Sequence, residues 1–146
     1  METYYWNECI KEAKKAFDKD EVPVGCIIVK NDEIIAKAHN LKEKQKDTTA
    51  HAEILAIKKA QKKLNDWRLT DCIMYSSLEP CPMCAGAILH ARLKKIIYGA
   101  VDPKWGAESK LQLFSKKHFN HQIAYETQEI TECSNLLKKF FKSKRK

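Results

Sequence analysis

Two short segments, His51-Ala52-Glu53 and Pro80-Cys81-Pro82-Met83-Cys84, hold residues able to do chemistry together. One imidazole and two sulfurs are good zinc ligands, and three protein ligands leave the fourth coordination position to water, as catalytic zinc requires. Cys81 and Cys84, spaced i and i+3, share one face of a first helical turn, where the positive end of the helix dipole favours thiolate. His51 and Glu53 are two apart, about 200° around a regular helix. The spacing therefore predicts that His51 stands at the irregular helix entry, reaching the metal while Glu53 approaches the water on it. Two thiolates, a neutral imidazole and Zn²⁺ sum to zero charge, so the centre is weakly electrophilic and gains from a general base, for which Glu53 is the candidate. Such a centre suits hydrolysis at an electrophilic ring carbon. Zinc lowers the pKa of water, and Glu53 takes its proton and returns protons to a ring nitrogen and a departing amine; ammonia leaves and a carbonyl remains. The competing reading is a structural zinc closed by another cysteine such as Cys72, with Glu53 an ordinary first-turn acid.

The elements that must position these groups follow from periodicity. Tyr5, Trp6, Cys9, Ile10, Ala13, Ala16 and Phe17 mark one face of an amphipathic helix over 4–19. Cys26 to Val29, then Asn31-Asp32-Glu33, then Ile34 to Ala36 read as strand, tight turn and strand. Residues 40–49 are polar and loop-like, and Thr48 or Thr49 is placed to cap a helix over about 51–64. A strand over 72–76, a helix over 82–91 opened by Pro82, and a strand over 95–99 then alternate, which predicts an α/β sheet with helices on its faces. Beyond a turn-rich 102–106 lie a helical 109–115, an extended 123–129 and a last helix striped by Leu136, Leu137, Phe140 and Phe141.

Composition narrows the class. The 146 residues carry 44% hydrophobic and 32% charged side chains, enough apolar content for one core-forming domain over 1–146 and too much for a disordered chain. The longest nearly uncharged apolar stretch, Val22 to Val29, is eight residues, against roughly 18 for a bilayer span. The N-terminal segment has no basic region ahead of an apolar secretory core, so cytoplasmic residence and no membrane partner are expected. Of the net charge of +8, six positive charges fall between Lys138 and Lys146, leaving the first 137 residues at +2. This basic amphipathic end reads as an RNA-phosphate contact, a solvated face or a membrane-surface helix. Cys9, Cys26, Cys72 and Cys133 lack metal-like spacing and are expected to pack as small buried groups without disulfides. Asn40 is a turn residue or a substrate contact, and Trp67 and Trp105 are packing anchors or stacking platforms. His90, His118 and His121 receive no chemistry.

H-x-E with P-C-x-x-C is the known signature of zinc nucleobase deaminases. With Glu21-Val-Pro-Val-Gly25, Asn40, Thr49-Ala-His-Ala-Glu-Ile54, Leu78-Glu-Pro-Cys-Pro-Met-Cys-Ala-Gly-Ala87, Asp102-Pro-Lys-Trp-Gly-Ala107 and Asn120-His121, the chain resembles the bacterial tRNA-specific adenosine deaminases, the TadA family, over nearly its whole length. The resemblance implies a three-layer α/β/α cytidine-deaminase-like fold with a mixed sheet of about five strands. It implies a homodimer with composite sites, and conversion of wobble adenosine to inosine in a tRNA anticodon loop. By the same likeness His51, Cys81 and Cys84 hold one Zn²⁺ per subunit and Glu53 shuttles protons. Asn40 contacts the purine, Val22, Pro23 and Val24 help line the base pocket, and Asp102 lies in a loop touching the nucleotide backbone. The chain departs from the family after Gly106-Ala107, where Glu108-Ser109-Lys110 replaces a glycine-serine pair in a segment one residue shorter. Lys142, Lys144 and Arg145 are expected to reach the anticodon-stem backbone. Two other readings remain: deamination of free cytosine, cytidine, guanine or deoxycytidylate, and a zinc-stabilised RNA-binding module or inactive partner subunit.

Overall fold

A computed structural model describes residues 1–144. Helix α1 (Glu2–Asp18) leads into the hairpin β1 (Gly25–Lys30) and β2 (Glu33–His39). Asn31 and Asp32 both take positive φ, 51° and 63°, as a two-residue turn matched to strand twist requires. A short α2 (Lys42–Gln45), α3 (Ala52–Leu64), β3 (Cys72–Ser76), α4 (Pro82–His90) and β4 (Lys95–Tyr98) follow, then α5 (Ala107–Leu111), β5 (Ala124–Thr127) and α6 (Thr131–Lys144). The sheet order is β2-β1-β3-β4-β5, antiparallel across β2, β1 and β3 and parallel across β3, β4 and β5. This is the expected mixed five-stranded sheet.

Strand alternation divides the core into two layers. Ile27, Val29, Tyr75 and Ile97 pack on one face with Tyr5, Trp6 and Cys9 of α1 and Cys133 of α6. Cys26, Ile28, Met74 and Ile96 pack on the other with Ala52 and Ala56 of α3 and Ala85 and Ile88 of α4. Gly25 lets α1 lie close on the sheet: a Cβ there would stand 2.2 Å from the Cys9 carbonyl oxygen.

Several local expectations are corrected. The polar 40–49 stretch holds α2, because both carboxylate oxygens of buried Glu21 accept the backbone N–H groups of Glu43 at 2.9 Å and Lys44 at 2.7 Å. No threonine caps α3; Thr49 donates its hydroxyl to Asp47 instead, at 2.7 Å, and His51 occupies the cap position. The helix expected over 109–115 begins at Ala107 and ends where Gln112 turns left-handed. Of the apolar stripe on α6, Phe140 is buried but Phe141 is exposed. Among the described residues no helix is long and apolar enough to cross a membrane.

Candidate active site

Two helix N-termini converge. His51 is the N-cap of α3 and Cys81 the N-cap of α4, both with extended backbone, while Cys84 lies one turn into α4. Pro82 opens α4 at a position where no N–H is needed. His51 Nδ1 stands 3.7 Å from Cys81 Sγ and 3.4 Å from Cys84 Sγ. A tetrahedron with metal–nitrogen near 2.05 Å and metal–sulfur near 2.3 Å has an N···S edge of about 3.6 Å. The soft donor set and its edges therefore fit zinc. Among the described residues the group closes at three ligands, and Cys72 is not part of it.

The thiols share protons unequally. Cys81 is pulled down to about 4, first by the hydrogen bond from Cys84 and then by His51, against its own burial. Cys84 is pushed far up by its bond to Cys81 and by burial. The His51 imidazole is raised by the Cys81 sulfur. Glu53, one residue into α3, is 4% exposed. Burial pushes its carboxyl up to about 7, opposed by its own backbone N–H and by the Cys84 thiol. A carboxyl in that range can both take and return a proton near neutrality.

Hydrogen bonds in the approach to Cys81 fix its backbone. Ser77 donates its N–H to the Gly25 carbonyl at 2.9 Å and accepts the Gly25 N–H on its hydroxyl at 2.9 Å. Glu79 donates its N–H to the Ala100 carbonyl at 2.8 Å, and Ala107 donates to the Pro80 carbonyl at 2.9 Å. The Glu79 carboxylate is 2% exposed. It accepts the Asp102 N–H at 3.0 Å, the Ser109 N–H at 2.8 Å and the Ser109 hydroxyl at 2.7 Å. Gly106 is required beside it, since a Cβ there would lie 2.3 Å from the carboxylate. Sequence reasoning assigned no role to Glu79 or Glu21; the available signal was an acid embedded in each apolar motif.

Asn40 is buried at the end of β2. Its amide donates to the Val22 carbonyl at 3.3 Å and its oxygen accepts the Lys42 N–H at 3.0 Å. Val22 and Asn40 open on one groove of about 770 Å³ that also meets four lysines (Lys19, Lys42, Lys44 and Lys144) and three acids (Asp20, Glu21 and Glu43). Pro23 and Val24 are buried, and neither borders that groove. Asp102 is half-buried, its Oδ1 accepting the N–H groups of Lys104 at 3.0 Å and Trp105 at 3.1 Å. Lys142 and Lys144 are exposed on α6, with Lys144 paired to Asp20, and Arg145 lies outside the described residues. His121 binds the Leu93 carbonyl at 2.9 Å through Nε2.

Residues 2–145 match the model of the MafB19-like deaminases. The tRNA-specific adenosine deaminase of Bacillus subtilis (strain 168) is 48% identical over 144 residues, which are 97% of this chain and 89% of that protein. A structure solved in a study of A-to-I editing by tRNA:A34 deaminases at the wobble position of transfer RNA superposes with a TM-score of 0.88. It is 38% identical, covering 92% of this chain and 99% of that one. A guanine deaminase from Bacillus subtilis superposes at 0.64 with 33% identity, over 93% of this chain and 90% of that one.

Proposed function

The chain belongs to the MafB19-like deaminases, and from that premise we propose that it hydrolytically deaminates adenosine to inosine at the wobble position of a tRNA anticodon loop. The observation that carries this reading is a three-ligand, not four-ligand, group of His51, Cys81 and Cys84 beside a buried carboxyl near neutrality. Those three residues would hold zinc, which would supply a Lewis acid that lowers the pKa of a water. Glu53 takes a proton from that water as its oxygen bonds to the purine carbon, and passes the proton to the ring nitrogen. It then takes the hydroxyl proton and delivers it to the departing amine, so that one water is consumed, one ammonia leaves and a carbonyl remains. Val22, followed by Pro23 and Val24, with Asn40, borders the base, and Asp102 shapes the loop that meets the nucleotide backbone.

RNA rather than a free base is supported by the groove that runs from Asn40 and Val22 to Lys42, Lys44 and Lys144. Its four lysines outnumber the acids Asp20, Glu21 and Glu43, of which Asp20 pairs with Lys144 and Glu21 is taken up by backbone N–H groups, leaving lysines suited to phosphate; Lys142 and Arg145 are further candidates for phosphate contact by sequence. A homodimer is supported by an apolar hollow of about 510 Å³ across α3 and α4, where Ile54 and Ala87 are partly exposed over buried Ile57. A cytoplasmic location accords with a tRNA substrate. The test is incubation with an anticodon stem-loop, followed by digestion to nucleosides and analysis for inosine. Inosine in the RNA supports the reading; ammonia from free guanine or cytidine without inosine in RNA overturns it.

A further inference from the structure

Single exposed apolar side chains are ordinary, but Trp105 is set apart by where its backbone is held. Its side chain is 70% exposed, and among the described residues no ring or cation stands over the indole. The other exposed indole, Trp67, lies under Arg68 and Arg92, their guanidinium carbons 5.1 and 5.9 Å from its ring centre. The loop beneath Trp105 is rigidly braced. Asp102 Oδ1 takes the Trp105 N–H at 3.1 Å and the Asp102 carbonyl takes the Gly106 N–H at 2.9 Å. Glu79 holds both ends through Asp102 and Ser109. The Ala107 N–H, two residues on, binds the carbonyl of Pro80, the residue before metal ligand Cys81. An uncovered ring is thus carried by backbone held to the segment that leads into Cys81, with exposed Lys104 as its neighbour.

Resting on the RNA reading above, we propose that Trp105 is a stacking platform for an unpaired loop base next to the one being deaminated. A base that leaves its stack to enter the site unstacks its neighbours, and an aromatic face restores that contact to any base without directional demands. The indole touches no reacting atom, so it acts on affinity rather than on the chemical step.

The test compares the parent protein, Trp105→Ala and Trp105→Phe on an anticodon stem-loop and on stem-loops carrying an abasic site at each position flanking the adenosine. Zinc content and unfolding midpoint, unchanged from the parent, show that the variants keep the site intact. We expect KM to rise roughly tenfold in Trp105→Ala, kcat to stay within about twofold, and Trp105→Phe to recover most of the loss. One abasic RNA should weaken the parent by the same factor and add nothing in Trp105→Ala. An unchanged KM, a loss confined to kcat, or independent effects at every abasic position overturns the proposal. If the unsubstituted protein makes no inosine in RNA, the substrate reading itself has failed, a result visible before any variant is compared.

Discussion

Glu53 shows how a common residue acquires an uncommon property. At the first turn of an exposed helix it would be an ordinary acid, but the α3 N-terminus lies against the sheet and desolvation lifts the carboxyl to about 7. The Cys81 sulfur adds to that rise, and the Glu53 backbone N–H, the His51 imidazole and the Cys84 thiol offset only part of it. Glu53→Ala is expected to keep its fold and one zinc per chain by metal analysis, and to lose inosine formation by roughly a hundredfold or more. Unchanged turnover would remove Glu53 from the mechanism. Asn40 is instructive in the opposite direction: both ends of its amide are engaged by Val22 and Lys42 backbone. It braces the rim of the groove as well as bordering it.

Between elements, buried carboxylates act as staples for irregular chain. Glu79 joins the β3–α4 approach to the 102–109 loop through three donors. Glu79→Ala leaves those donors without their acceptor, a loss of about 1–3 kcal/mol. A lower unfolding midpoint together with a raised KM for the stem-loop is expected. A midpoint equal to the parent's would mean the loop does not depend on this carboxylate. Helix α1 and strand β2 are tied in a related way by Glu8, which pairs with Lys37 at 2.7 Å and Lys11 at 2.8 Å. Hydrogen bonds from Lys11 and Lys37 hold the Glu8 carboxyl at about 2, below its ordinary 4.5. A depressed carboxyl contributes stability that is present above its ordinary value and lost as pH falls toward the folded value. The unfolding midpoint should therefore drop on acidification from about pH 5 to about pH 2, and Glu8→Gln should show a shallower drop in the same titration.

Across the whole molecule, charge separates into an almost balanced body and a basic end. The structure brings Lys144 of that end to the groove bordered by Asn40 and Val22, joining positions 22, 40 and 144 in one surface. Replacing Lys142 and Lys144 by Gln should weaken stem-loop binding and reduce the slope of log affinity against log salt by about one for each phosphate no longer neutralised. Equal slopes would detach the tail from RNA binding. Inosine formation at saturating RNA should be nearly unaffected, because neither lysine belongs to the group of His51, Cys81 and Cys84.

What the amino-acid order determined by itself was whatever depends on spacing within one segment. The i, i+3 cysteines, His51 at a helix entry, the apolar face of α1 and the Asn31-Asp32 turn are of this kind, since periodicity and capping are local properties of a chain. The family likeness extended that reading to the order of layers. Tertiary structure alone decided which buried polar group meets which distant backbone: Glu79 with Asp102 and Ser109, Glu21 with Glu43 and Lys44, Thr49 turned to Asp47 and away from α3. It also left Phe141 and Trp105 in water and buried Pro23 and Val24. A buried donor or acceptor must be satisfied, but its partner is chosen by how remote elements pack, and no local pattern records that choice.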